Sequence, residues 1–198
     1  MKNWKRITSL FLAAVLCMGL SVPASDAVED TGFSYVAAGA WYAEAVEYCV
    51  DNGLMSGTSA TTFSPGAAMS RAMLATVLYR EAGSPAVTGS AAFTDVADGS
   101  WYAAPAAWAF QNGIISGYGN GRFGSNDPVT REQITAILWR AEGSPDAEAG
   151  ADFADEDQIA SYASAAVDWA RASGIMNGKE NDRFDPLCGL DLYAQNGE

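Results

Sequence analysis

Two arginines hold the positions that most invite chemistry. Arg71 follows Ser70 and Arg131 follows Thr130, sixty residues apart, each pair heading an apolar-periodic stretch. Ser and Thr are favoured helix N-caps, so each Arg is predicted at the first residue of a helix. Free backbone N–H groups and the helix dipole already favour an anion there. A guanidinium at that mouth adds a bidentate donor for a carboxylate. It also opposes the dipole, so the position calls for an anionic ligand or an acidic neighbour. With 24 Asp and Glu in the chain, acidic neighbours are plentiful. Both readings stay open from sequence. Trp41 and Trp101 either stack on sugar faces or begin apolar helical faces. Gly57 and Gly117 either let a ligand approach the backbone or serve turns that need positive φ. Asp95 either lines a groove or caps the turn that follows it.

Catalytic chemistry finds little support. The chain has no His, which removes Ser-His-Asp and Cys-His machinery and the commonest zinc ligand. Asp152, Asp155, Glu156 and Asp157 form a carboxylate run, and glycoside hydrolysis uses carboxylate pairs. Adjacent acids at a helix start read instead as a solvated face. Residues 95–100 and 117–121 lack the ligand spacing of a calcium loop, and Gly117-Tyr118-Gly119-Asn120-Gly121 lacks the Lys-Ser/Thr of a phosphate loop. No enzyme activity, cofactor or metal site is expected.

The N-terminus reads as a secretory signal over residues 1–24. Lys2, Lys5 and Arg6 precede the apolar run Ile7 to Leu20, and Val22-Pro23-Ala24 offers a small-residue cleavage site. The run is short of the roughly 20 residues that span a bilayer. Cleavage removes three of the eleven basic residues and no acidic one, leaving 8 against 24 and a charge of −16. Such a surface repels nucleic acid and anionic lipid, which need clustered Lys and Arg. Any anionic ligand must be met by a few placed cations. Of the three cysteines, Cys49 and Cys188 follow the signal. Two cysteines can pair outside the cell but make no disulfide scaffold, and Cys49 reads as a small buried filler.

The elements that position these residues come as repeats. Phe33, Phe93 and Phe153 fall sixty apart, as do Tyr42, Tyr102 and Tyr162. The segments from Asn52, Asn112 and Ser173 to Gly57, Gly117 and Gly178 match, and Phe63, Phe123 and Phe184 follow each by six residues. Copies are placed at 33–85, 93–145 and 153–198. Each reads as helix, loop, helix. In the first copy, helix one is predicted from about Trp41 to Asn52, with Trp41, Ala45, Tyr48 and Cys49 on one face. Gly53 caps its end, and Phe63 pegs the loop to the core. The second helix is predicted to bury Leu74, Val77 and Leu78, or Ile134, Ile137 and Leu138. Thr130 and Gln133 have capping-box spacing. The third copy runs Leu187-Cys188-Gly189-Leu190-Asp191-Leu192 where a second helix would begin, with Asp191-Leu192 in place of Thr-Arg. It is expected to lack that helix, as a truncation or a frame shift near Leu187 would leave it. Short helix pairs cannot bury their faces alone, so the copies must pack into one body. An incomplete copy leaves an apolar seam that self-association would cover.

Phe93-Thr94-Asp95-Val96, Trp101-Tyr102, Gly113-Ile114-Ile115-Ser116-Gly117, Gly121-Arg122-Phe123 and Thr130-Arg131-Glu132-Gln133 together resemble an S-layer homology (SLH) repeat. The last four residues are similar to the family's Thr-Arg-Ala-Glu signature. The first copy matches more loosely, with Tyr35 for the Asp and Ser70-Arg71-Ala72-Met73 for the signature. The resemblance implies an all-α, pseudo-threefold domain with the second helices in a central bundle. It implies grooves between copies that bind secondary cell-wall polysaccharide, often through a pyruvyl ketal, with the signature Arg in the groove. The expected protein is thus a secreted, non-catalytic anchor at the cell wall or S-layer of a bacterium. The alternatives are a protein-interaction or assembly module of the cell envelope, or a truncated product of a larger surface protein. Arg131→Ala is expected to weaken wall binding without loss of helical signal.

Overall fold

The computed structural model describes residues 33, 34, 36, 40, 42–89, 93–146 and 152–189. The signal segment, Tyr35, Trp41 and Asp191-Leu192 lie outside the described residues. The helices are α1 (Ala43–Asp51), α2 (Arg71–Glu81), α3 (Ala103–Gln111), α4 (Arg131–Ala141) and α5 (Ser164–Ala172). Among the described residues there is no β-sheet, and strand-like pairing is limited to isolated bridges. The expected all-α helix-loop-helix plan is what the chain adopts.

Local sequence explains where each helix starts and stops. Ser70 Oγ accepts the Met73 N–H at 3.3 Å. Thr130 Oγ1 accepts the Gln133 N–H at 3.4 Å while Gln133 Oε1 accepts the Thr130 N–H at 3.5 Å, closing the expected capping box. Both second helices therefore begin on the arginine. The first helices end alike. Gly53, at φ +66°, sends its N–H to Val50 O, and the Leu54 N–H reaches back to Cys49 O at 2.8 Å. That is a left-handed C-terminal cap, which glycine adopts without a Cβ penalty.

Each loop returns to its own copy in the same way. Ser34, Thr94 and Ala154 donate their N–H groups to Thr61, Gly121 and Asp182 carbonyls at 2.8, 2.9 and 3.0 Å. Phe33 meets Phe63, Phe93 meets Phe123 and Phe153 meets Phe184 at centroid distances of 5.9, 5.3 and 5.4 Å. Phe123 and Phe184 are wholly buried and Phe63 nearly so. All three loops are pegged as the sixty-residue register predicts. Truncating such a peg costs about 3–5 kcal/mol.

The helices bury the expected residues on α2 and α4, namely Leu74, Val77, Leu78, Ile134, Ile137 and Leu138. On α1 the expectation needs correction. The buried stripe is Ala43, Val46 and Cys49, while Ala45 and Tyr48 are half-buried. The stripe is rotated because α1 closes on Val36, Tyr42 and Phe63 of its own copy. Cys49 is the buried filler expected, and both cysteines are free thiols. In the third copy α5 starts at Ser164, one residue beyond the sixty-residue spacing from Ala103, so the inserted residue lies ahead of the helix.

Copies join in a fixed order. The second helix of one copy lies on the first helix of the next, α2 on α3 and α4 on α5. One core cluster accordingly gathers Leu74 and Leu78, Trp108, Ile134 and Ile137, Val167 and Trp169. α1 is different. Its apolar residues form smaller clusters apart from that core.

Candidate functional site

The two arginines are seated at the joints between copies, each reaching from its own helix start into the loop of the next copy. Arg71 donates from Nε to Phe123 O at 2.8 Å, and its guanidinium lies 4.7 Å from the Tyr118 ring centroid and 5.4 Å from that of Phe123. Arg131 donates from Nε to Phe184 O at 2.7 Å and from Nη2 to Asn177 O at 3.1 Å, with the Phe184 ring 5.0 Å away. The helix starts dock with them. The N–H groups of Arg71 and Ala72 reach Asp127 O and Ser125 O at 3.0 and 3.1 Å. Those of Arg131 and Glu132 reach Cys188 O and Pro186 O at 2.9 and 3.0 Å. The free N–H groups of the helix mouth are thus satisfied by a neighbouring loop.

Sequence left two partners open for the arginines, an outside anion or an internal carboxylate. What holds both is a set of backbone carbonyls and aromatic faces, a third arrangement that uses the same donors. Arg131 is 1% exposed and Arg71 5%. Burial is the main influence on both guanidinium groups and pulls their proton affinity below the ordinary value. Among the described residues Arg71 forms no ion pair, although the carboxylates of Asp127 and Asp95 lie near enough to favour its charge against burial. The two Nη atoms of Arg71 have no hydrogen-bond partner yet are not sealed from solvent.

Asp95 and Asp155 fasten the loops that hold the arginines. Asp95 accepts from the N–H groups of Phe123 and Gly124 at 2.7 and 2.8 Å. Asp155 accepts from those of Phe184 and Asp185 at 2.6 and 2.9 Å. One phenylalanine in each joint therefore donates its N–H to an Asp of its own copy and accepts the arginine of the previous copy. Burial alone would raise both carboxyl pKa values. The N–H donors, with Arg122 or Arg183 nearby, outweigh it and hold both below the usual carboxylate range. The carboxylate run at 152–157 is therefore not uniformly a solvated face, since Asp155 is 0% exposed and committed to the loop.

The remaining candidates fall as follows. Gly57 and Gly117, at φ +77° and +71°, are approached by their own loops. A Cβ would lie 2.6 Å from Thr62 O or 2.7 Å from Arg122 O. Turn geometry thus accounts for both glycines. Trp101 is 60% exposed, so it does not begin a buried face. Trp108 and Trp169 are core, and Trp139 is half-buried with Nε1 donating to Pro145 O at 2.9 Å. Among the described residues no group of His, Cys, Asp or Glu is placed to hold a metal ion, and no helix is long and apolar enough to cross a membrane.

Two participants escaped sequence reading. Tyr118, 43% exposed beside Arg71, lay in a loop whose only visible signal was its glycines. Glu132 is buried, accepting the Tyr162 hydroxyl at 2.8 Å and the Ala160 N–H at 3.1 Å. Its place beside Arg131 in the Thr-Arg signature was the available hint. A cavity of about 410 Å³ also opens on the first copy, lined by Phe63, Ala67 and Ala68 from its loop, Met73 and Val77 from α2, and Trp101 at its rim.

A family model described as S-layer homology domain matches residues 36–73, 92–135 and 152–187. Among curated proteins, an endoglucanase of Bacillus sp. (strain KSM-635) is 30% identical over 93% of this chain and 21% of its own length. An amylopullulanase of Thermoanaerobacterium thermosulfurigenes is 32% identical over 74% of this chain and 8% of its own. The surface-layer 125 kDa protein of Lysinibacillus sphaericus is 30% identical over 84% of this chain and 14% of its own. The chain thus spans about a fifth or less of the length of these relatives.

Proposed function

Because the chain belongs to the S-layer homology family, whose modules are cell-surface anchors rather than catalytic parts, we propose that it anchors by binding an anionic secondary cell-wall polysaccharide where copies meet. The observation that carries this reading is Arg71. Its Nε is spent on Phe123 O, its Nη atoms are uncommitted, and the exposed Tyr118 ring lies beside it. A carboxylate of the glycan, such as a ketal pyruvate, meets the Nη pair, and Tyr118 offers a ring face to the sugar. Trp101 offers a second exposed ring. Trp41 lies outside the described residues. Ser70, Thr130, Asp95, Gly117 and the buried Arg131 act as positioning residues that build the joints, and Gly57 shapes the matching loop of the first copy. Residues 1–24 direct secretion, so the site is presented at the cell wall.

Burial changes which variant tests this. Arg131→Ala removes at least two hydrogen bonds from the interior, and Arg71→Ala removes the buried bond to Phe123 O, so each disturbs its joint. Tyr118→Ala, at an exposed ring, is the cleaner probe, and Arg71→Ala is read beside it with its unfolding followed in parallel. In sedimentation with purified cell walls, Arg71→Ala is expected to weaken binding about tenfold or more, the worth of one charge-assisted contact. Tyr118→Ala, at an exposed ring, is expected to weaken it several-fold with an unchanged circular-dichroism spectrum. Mild acid removal of ketals from the wall should erase the difference between wild type and Arg71→Ala. Unaltered binding by both variants refutes the assignment.

A further inference from the structure

The seat that receives Arg131 repeats the one that receives Arg71, but four of its residues differ in kind. Aligned on α3 and α5, the third copy has Arg171 where the second has Phe110, and Lys179 where it has Tyr118. Asp182 and Asp185 stand where the second copy has Gly121 and Gly124. Two cations and two anions thus replace two aromatics and two glycines.

The glycines suit their places. Gly121 and Gly124 lie at φ +80° and +77°, left-handed backbone that costs glycine little. Asp182 and Asp185 hold the same region at φ +54° and +52°, where a side chain is disfavoured. Each is tied to one of the new cations. Arg171 Nη2 donates to Asp182 Oδ2 at 2.9 Å, while its guanidinium lies 4.0 Å from the Phe153 ring centroid. In the second copy an edge-on ring pair, Phe93 with Phe110 at 5.1 Å, takes that place. Lys179 Nζ lies 3.9 Å from Asp185 Oδ2 and 3.1 Å from Cys188 Sγ. Arg183 Nε completes the set, donating to Asp185 Oδ1 at 3.2 Å.

These pairs hold the backbone groups that receive α4. Asp182 O accepts the Ala154 N–H at 3.0 Å, closing the loop on its own copy. Phe184 O, Pro186 O and Cys188 O then take Arg131 Nε and the N–H groups of Glu132 and Arg131. The two joints share one kind of ion pair, Arg122 with Asp95 and Arg183 with Asp155. Among the described residues, the Arg171 and Lys179 pairs belong to the third copy alone. Both are partly exposed, so dissolved ions screen them.

We propose that the Arg171–Asp182 and Lys179–Asp185 pairs form an ionic clasp that makes the joint between the second and third copies yield to ionic strength, while the joint at Arg71 does not. At low salt the clasp holds two aspartates against their backbone preference. As salt weakens it, the loop relaxes and the α4 start loses its seat. The chain carries a formal charge of −13, so screening its self-repulsion should tighten the fold in general. A joint that loosens in salt runs against that trend. Glycan binding plays no part in the clasp or in its test.

Amide hydrogen exchange of the full chain, followed by NMR, compares both joints in one sample. Salt is raised from about 0.01 M to about 1 M NaCl, which cuts the Debye length from about 30 Å to about 3 Å. The N–H groups of Arg131 and Glu132 report the third-copy seat, and those of Arg71 and Ala72 the second-copy seat. Protection at Arg131 and Glu132 is expected to fall about fivefold or more, as loss of a strong exposed pair would give. At Arg71 and Ala72 it should hold or rise. Asp182→Asn tolerates left-handed backbone but removes the charge. It should lower protection at Arg131 and Glu132 several-fold in low salt and shrink the salt effect. Arg171→Phe with Asp182→Gly installs the second copy's chemistry. That double variant should keep low-salt protection within about twofold of wild type and lose most of the salt effect. Equal salt responses at the two joints, an unchanged response in Asp182→Asn, or a response retained in full by the double variant overturns the proposal.

Discussion

Removing the Asp155 carboxylate tests whether these aspartates hold the joints together. Asp155→Ala orphans the Phe184 and Asp185 N–H groups, which it accepts at 2.6 and 2.9 Å, and frees Arg183, whose Nη2 lies 3.4 Å away. Each buried donor left without a partner costs about 1–3 kcal/mol. Arg183 is partly exposed, so its ion pair is discounted as screened by solvent. The Phe184 peptide is buried and that of Asp185 partly so, which places the loss at about 3–4 kcal/mol. For a chain of this size each kcal/mol moves Tm by about 2–4 °C, so a fall of about 10 °C is expected. Asp155→Asn keeps one acceptor but turns an amide N–H toward the second donor, and should lose about 2 kcal/mol. Asp95→Ala is the internal comparison. Its carboxylate makes the same two bonds but is partly exposed, so water can replace it and the loss should be about 1–2 kcal/mol. Thermal and urea unfolding followed by circular dichroism measure all three. If Asp155→Ala loses less than about 1 kcal/mol, or Asp95→Ala loses as much as Asp155→Ala, the fastening argument is wrong.

Two further outcomes follow from the same contacts. Both carboxyl groups titrate lower in the folded chain than in the unfolded one, where Asp sits near 3.9. Their contribution is therefore complete above about pH 4 and disappears as pH falls through the folded values. Stability of the wild type should drop steeply below pH 4, and the Asp155→Asn, Asp95→Asn double variant should show a flatter profile there. A steep drop retained in that variant would place the acid sensitivity elsewhere. The thiols should separate kinetically. Burial, with Glu81 nearby, pushes Cys49 up to about 11, so a thiol reagent at pH 8 should label Cys188 first and Cys49 only on unfolding. Equal labelling rates under native conditions would contradict the burial of Cys49.

Each joint depends on residues of two copies at once. The Asp of one copy sets the peptide plane of Phe184 or Phe123, and the Arg of the preceding copy takes the carbonyl of that same phenylalanine. Weakening either side loosens the seat of the other, so variants at Asp155 and Arg131 should be non-additive. The glycan-binding proposal rests on Arg71, whose Nη atoms have no hydrogen-bond partner among the described residues.

Local chemistry was legible in the chain itself. The sixty-residue register located the helices, the caps at Ser70 and Thr130, the reversal at Gly53, and the pegs Phe63, Phe123 and Phe184. Capping, positive φ and apolar periodicity are properties of a few neighbouring residues, so spacing alone reveals them. What the arginines touch was not legible. Arg71 and Phe123 are 52 positions apart, as set by packing α2 onto α3, and no short pattern encodes a contact to a backbone carbonyl. A carbonyl is present in every residue, so which one lies at the end of a side chain is decided only when the copies dock. The same holds for Asp155, which reads as one acid among several at 152–157 and becomes a buried fastener through its distance to Phe184. Trp101 shows the converse, an aromatic that looked equally suited to core or surface until the joint left it at the rim of a cavity.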